Sequence, residues 1–330
     1  MKKIFILILL GLCAHANAQI NVGSNAIATM NKAGRLSEDD MNDLKKTTTL
    51  FTLQYRDYDV LRAYEKMIGE VWTITKFKII KPDEMSQYLH KKGYSFFSFG
   101  GFYTTTARNG GPSRQLFSQH ITYDLWTPDI NKNGKLKENN YYSRIMLYPD
   151  AKVFEKAMVS YGSRLADKME NFFYNEAVFY NWGPGFLKGY LKTVNDVLTQ
   201  QDTRGGFTSD EDDDALANLK KDTLYVPDYV NVTYNPFTGT DSAPDEDDKD
   251  DDKDANTSYP YHIKYITNTQ LNDMLTERTD PFYYLVYVRS STDKFVDVYR
   301  SDKGLIYSRY KAVSYNFKNK DLGKIAKAIR

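Results

Sequence analysis

The sequence predicts an α/β (α+β) fold built from two related units, each running strand, helix, strand, hairpin, helix, with a helical hairpin between them. Three observations carry this. Short β-prone apolar runs alternate with stripes of helical period. The same order returns in the last third of the chain. A break at Asn181-Trp182-Gly183-Pro184-Gly185 separates two helical stripes midway.

In chain order, Ser37 with an acid three residues on marks a short helix start, with Met41 and Leu44 behind it. Residues 49–55 read as a strand, followed by Leu61, Tyr64, Ile68 and Trp72 at helical spacing. Residues 77–81 read as a strand. Pro82 sits where a helix begins, Met85, Tyr88 and Leu89 follow it, and Gly93 fits its end. Residues 94–99 form another strand, and Gly100, Gly101, Gly110 and Gly111 read as the loop after it. Residues 120–126 and 141–148 form a hairpin whose tip passes through Asn133-Gly134. Phe154, Met158, Tyr161, Leu165 and Met169 make a helical stripe, which resumes over 186–198.

In the last third, Lys264-Tyr265-Ile266 aligns with Lys78-Ile79-Ile80, Gln270-Leu271 with Glu84-Met85, and Met274-Leu275 with Tyr88-Leu89. Residues 282–287 stand where 96–99 stood, 295–299 and 305–310 repeat the hairpin, and 321–329 the closing helix. This order predicts a duplication. The implied organisation is a leader over 1–18, a lead-in over 19–46 and a first unit with its helical hairpin over 47–204. An acidic insert with one strand (222–234) follows over 205–257, and the second unit covers 258–330.

The leader carries Lys2 and Lys3, an apolar run over residues 4–12, and Ala16-Asn17-Ala18. This is the pattern of an export signal cut between Ala18 and Gln19, which places the mature chain in the periplasm or outside the cell. The run is half the length of a membrane span of about 20 residues, so the chain is expected not to span a membrane. Leu12, a large residue, precedes Cys13, where acylated cysteines follow a small one. Cys13 is the single cysteine, so the cut chain has no thiol for disulfides, metal or nucleophilic catalysis.

The whole chain has 44 basic and 43 acidic residues, but residues 210–254 hold 16 acidic and 4 basic ones. The cut chain is therefore a basic body with an acidic tract. Such a body suits another envelope protein, or anionic glycan or lipid headgroups, as partner. Nucleic acid is not expected, since the compartment is wrong and no reading module is present.

The residues 47–170 resemble the small α/β domain at the N-terminus of TolB, shared in outline by CsgG-like and LpoB-like envelope proteins. The likeness lies in strand 49–55, its helix, the basic-apolar strand 77–81, helix 82–92, the next strand and the hairpin. It implies periplasmic protein contacts and no catalysis. No TolB-type propeller repeat follows in this chain.

Asp129-Ile130-Asn131-Lys132-Asn133-Gly134 imitates a calcium loop, but position twelve is Asn140 and Glu138 falls two residues early, so no metal site is expected. There is no G-x-S-x-G, H-E-x-x-H or phosphate loop, and no cofactor motif. His90, His120 and His262 stand alone. The best interaction surface in the sequence is the aromatic cluster Phe179, Tyr180, Trp182 and Phe186 at the Gly-Pro-Gly break, which suits protein or sugar-ring contacts. The function expected is a non-enzymatic envelope protein. The alternatives are a glycan or peptidoglycan binder using the Trp182 region and a hydrolase using paired carboxylates.

Overall fold

The computed structural model describes residues 19–24, 34–107, 115–130, 133, 136–159, 165–205, 210–235, 238–242 and 258–329. The fold is α/β (α+β), with two mixed six-stranded sheets.

The first sheet holds β1 (Ile20–Val22), β2 (Thr48–Thr52), β3 (Lys76–Ile80), β4 (Tyr94–Ala107), β5 (Gln115–Ile130) and β6 (Leu136–Leu147), in the order β1-β6-β5-β4-β2-β3. The second holds β7 (Asp210–Glu211), β8 (Leu224–Pro227), β11 (Ile263–Ile266), β12 (Tyr283–Arg289), β13 (Lys294–Arg300) and β14 (Gly304–Lys311), in the order β11-β8-β12-β13-β14-β7. A small hairpin, β9 (Thr233–Asn235) and β10 (Thr240–Ser242), stands apart.

The two sheets have one topology. In each, the second strand in sequence pairs in parallel with the strands on either side, the next three form an antiparallel meander, and the first strand closes the far edge antiparallel. The alignment of Ile266 with Ile80 can be carried through these ladders. Ile80 faces Thr52 and Ile266 faces Pro227, so Thr49 corresponds to Leu224. Their neighbours Ser95 and Tyr283 then correspond, and three residues on so do Ser98 and Val286. Ser98 faces Asp124 and Val286 faces Asp297. Two aspartates thus occupy one position of the repeated sheet.

The helices are α1 (Glu38–Lys45), α2 (Leu61–Val71), α3 (Ala151–Val159), α4 (Leu165–Asn175), α5 (Pro184–Thr199), α6 (Asp213–Ala217), α7 (Asn268–Glu277) and α8 (Asn319–Ala328). Ser37 caps α1 through a reciprocal pair with Asp40, and Thr267 caps α7 with Gln270 in the same way. Pro184 opens α5, which packs on α2, α7, β14 and β1 and so joins the units into one core. Gly189 permits this approach, since a Cβ there would lie 2.2 Å from the Tyr284 hydroxyl.

Four local differences from the sequence reading have physical causes. Residues 82–87 form a 3-10 turn instead of an α-helix, putting Met85 and Tyr88 on one side against Leu50, Ile80, Phe96 and Trp126. Gly100 and Gly101 lie inside β4, not in a loop: a Cβ on Gly100 would stand 2.8 Å from Asp124 Oδ2, and one on Gly101 2.9 Å from the His120 carbonyl. The strand read over 222–234 is divided into β8, a 3-10 turn (Asp228–Asn231) and β9. Finally, β7, α6 and β8 belong to the second sheet and its cover, although they fall in the stretch assigned to an acidic insert. Gly110, Gly111, Gly134, residues 131–132 of the hairpin tip and residues 243–257 of the acidic tract lie outside the described residues.

Candidate functional site

The aromatic cluster lies in the core and not on a surface. Phe179, Trp182 and Phe186 are buried and Tyr180 is half-buried. The Trp182 ring lies 4.9 Å from Tyr123, 5.0 Å from Phe99 and 6.3 Å from Tyr64, and its Nε1 donates to Asp57 at 2.8 Å. Phe186 packs between Tyr190 and Tyr284. These rings tie the helical hairpin to the sheets, and a sugar ring has no open indole face to stack on. Burial raises the Asp57 carboxyl above its ordinary value against the Trp182 and Tyr64 bonds that lower it.

His90, His120 and His262 stay apart in role. His120 is buried on the Phe102 ring with Nε2 3.0 Å from Thr104 Oγ1, and desolvation pushes it down to about 4 against the pull of Asp293. It is neutral at physiological pH. His90 and His262 are exposed. Among the described residues no three His, Cys, Asp or Glu side chains gather as a metal site, and no helix is long and apolar enough to cross a membrane.

An open cleft of about 450 Å³ lies between α1, the turn before β4 and the β5–β6 hairpin. Its charges are largely spoken for: Asp40 holds the α1 cap and Asp43 pairs with Lys46 at 3.2 Å. Lys91 and Lys92 reach its rim. From there a basic surface continues to β3, the outermost strand of the first sheet, where Lys76, Lys78 and Lys81 are exposed. Tyr88 supports two of these cations, with Lys91 Nζ 5.2 Å and Lys78 Nζ 6.0 Å from its ring centroid. Among the described residues β3 pairs on one side only; such a strand can add a further strand, and its lysines limit which partner does so.

The other charged groups of note are buried. Arg289, fully enclosed, bonds Asp241 Oδ1 at 2.9 Å and lies over the rings of Tyr234, Tyr148 and Phe154. Asp241 also accepts from the Ala151 backbone N–H, so this pair fastens the β9–β10 hairpin to the core just before the acidic tract. Asp212, in the first acidic cluster, caps α6, and the Ala215 N–H with Lys303 holds its carboxyl below its ordinary value. Asp124 pairs with Arg144 (Nε to Oδ2 3.6 Å) and is raised by burial to about 6. Asp297 is raised by burial to about 8 and accepts from the Ser308 hydroxyl.

Sequence reasoning gave a basic-apolar strand over 77–81 but missed its continuation by Lys91 and Lys92, which only the fold brings beside it. It missed Asp124 and Asp297 because a lone aspartate in a strand carries no motif. No known protein family, no curated protein and no solved structure matches the chain.

Proposed function

We propose that the chain is exported, cut before Gln19, and acts in the cell envelope by binding another protein along the β3 edge, without catalysis. The carrying observation is that edge: exposed Lys76 and Lys78 on a strand that pairs on one side only among the described residues, with Lys81 just beyond it and Lys91 and Lys92 continuing the basic surface. An acidic extended segment fits both its hydrogen-bonding groups and its charge. The resemblance of residues 47–170 to periplasmic contact domains points the same way.

The glycan reading loses its residues, since Trp182, Trp72 and Trp126 are all buried. Saccharides are expected to leave tryptophan fluorescence unchanged. The hydrolase reading has no support in the cleft, whose lining includes neither Asp124 nor Asp297, the two strongly raised carboxylates.

Photocrosslinking in intact cells tests the proposal. A crosslinker at position 78 is expected to capture one protein, and the adduct is expected to vanish in a Lys76→Glu/Lys81→Glu background. The same yield in that background, or from the distant exposed position 273, rejects the β3 edge as the contact surface.

A further inference from the structure

Gln19, the first residue of β1's approach, is fully buried where the two units meet. Its carbonyl accepts from Met146 N–H at 3.0 Å, its Nε2 donates to the Met146 carbonyl at 2.8 Å, and its Oε1 accepts from the Tyr299 hydroxyl at 2.9 Å. Met146 belongs to the first sheet and Tyr299 to the second, so this one residue is hydrogen-bonded to both. Its backbone nitrogen points at Asp297.

Asp297 is fully enclosed and incompletely satisfied. Oδ1 accepts from Ser308 and the backbone N–H groups of Arg309 and Gln19 are directed at the carboxyl, but Oδ2 has no hydrogen bond of good geometry among the described residues. The repeat shows what the position lacks. Across the ladder from Asp124 stands Arg144; across from Asp297 stands Ser308, which is neutral. The other charged or titratable groups that face Asp297 are Arg204, acting through space, and the phenols of Tyr299, Tyr190, Tyr229 and Tyr307, all pushed up by burial and so uncharged.

We propose that hydrolysis of the bond between Ala18 and Gln19 completes the fold, the new α-ammonium group of Gln19 forming a buried ion pair with the Asp297 carboxylate. This rests on the export reading above. In the reaction water adds across the peptide bond: its oxygen goes to the Ala18 carbonyl carbon, which leaves as a carboxylate, and its protons go to the Gln19 nitrogen. A single neutral N–H donor thereby becomes a cation with three donors at a site where a carboxylate oxygen is unmet. The pair takes the place that Arg144 fills in the first unit. It also makes the seam between the units depend on processing.

The bonds on Gln19 have a second consequence. An N-terminal glutamine cyclises when its own amine attacks its side-chain amide carbon with loss of ammonia. Here Met146 and Tyr299 hold the amide at both ends, and the amine is turned toward Asp297. The chain is expected to keep an open, free Gln19.

Three measurements decide the matter. Intact mass of the protein recovered from the envelope is expected to give a chain beginning at unmodified Gln19; a different first residue overturns the export reading, and a chain lacking ammonia overturns the pairing alone. Purified chains starting at Gln19 are then compared with chains carrying Gly-Ser before it, each with Asp297 or Asp297→Asn. The free-amine chain is expected to fold with an equilibrium constant about 10- to 100-fold higher, and Asp297→Asn is expected to remove that advantage. Equal stability of free and extended chains rejects the pair. Should Asp297→Asn not fold, amine acylation of the native chain gives the answer: the Gln19 amine is expected to react about 100-fold more slowly than the Gly amine of the extended chain, and equal rates reject the pair.

Discussion

Asp124 and Asp297 occupy one position in two copies of one sheet, yet the copies solve the same problem differently. The first supplies a cation from the neighbouring strand, with Arg144 held between the Tyr141 ring (4.0 Å) and the Phe102 ring (5.0 Å). The second offers a hydroxyl from Ser308 and faces the seam with the other unit. The cost shows in the carboxyl groups, raised to about 6 in the first and to about 8 in the second, with burial the leading cause in both. Duplicated sheets keep their ladders because backbone pairing fixes them. Their buried charges diverge according to what each copy packs against.

The largest expected effect removes the cation from the satisfied copy. Arg144→Met leaves Asp124 enclosed without its cation and raises its carboxyl further, and is expected to lower stability by about 3–5 kcal/mol in urea denaturation. The double variant Asp124→Asn/Arg144→Met is expected to recover much of that loss, because it removes both charges together. The matching change in the other copy behaves in the opposite way. In a chain extended before Gln19, Asp297→Asn is expected to be neutral or stabilising, because burial of that carboxylate outweighs the through-space pull of Arg204. If both copies respond alike, the contrast between them fails.

The pH dependence separates the copies further. An aspartate whose folded pKa is raised above about 3.9 holds a proton that the unfolded chain has lost, so stability falls as pH rises between the two values. For Asp124 that window runs from about 4 to about 6, and for Asp297 in the extended chain from about 4 to about 8. His120 works against both. Lowered to about 4 from 6.5, it makes stability rise over that interval, the gain being lost again as pH falls. From about pH 6.5 to about pH 7.7, above which a free α-amine titrates, Asp297 therefore acts alone among these three. Stability is expected to fall with pH there in the extended chain and to stay level in a chain starting at Gln19 or carrying Asp297→Asn.

Much of the frame was legible because it rests on local pattern. Runs such as 282–287 and 295–299 are dense in aromatic and β-branched residues, and Ser37 announces a helix start by chemistry alone. What failed to show was each feature set by a distant partner. Gly100 reads as loop, but its task is to clear Asp124. The break at Gly183-Pro184 suggests exposed aromatics, whereas α5 turns there into the core and takes Trp182 and Phe186 with it. Acidic composition put the strand read over 222–234 in an insert, whereas the Leu224 and Val226 of β8 are fully buried in the second sheet. The contact of Gln19 with Tyr299 spans 280 positions, and no spacing rule reaches that far.

The smallest expected effect compares the caps of the two copies. After each edge strand the chain enters a helix, capped by Ser37 in the first unit and Asp212 in the second. Ser37 and Asp40 exchange two bonds, 3.1 Å and 3.0 Å long. Asp212 accepts one from Ala215 at 2.9 Å and pairs with Lys303 at 3.3 Å in solvent, where an ion pair contributes little. Ser37→Ala is expected to cost about 1 kcal/mol and Asp212→Ala about 0.5 kcal/mol, the first unaffected by salt and the second diminished by it. Nearly equal caps mean that local structure treats the copies alike. The asymmetry then belongs to the buried aspartates, where one copy carries its own cation and the other has the Ser308 hydroxyl.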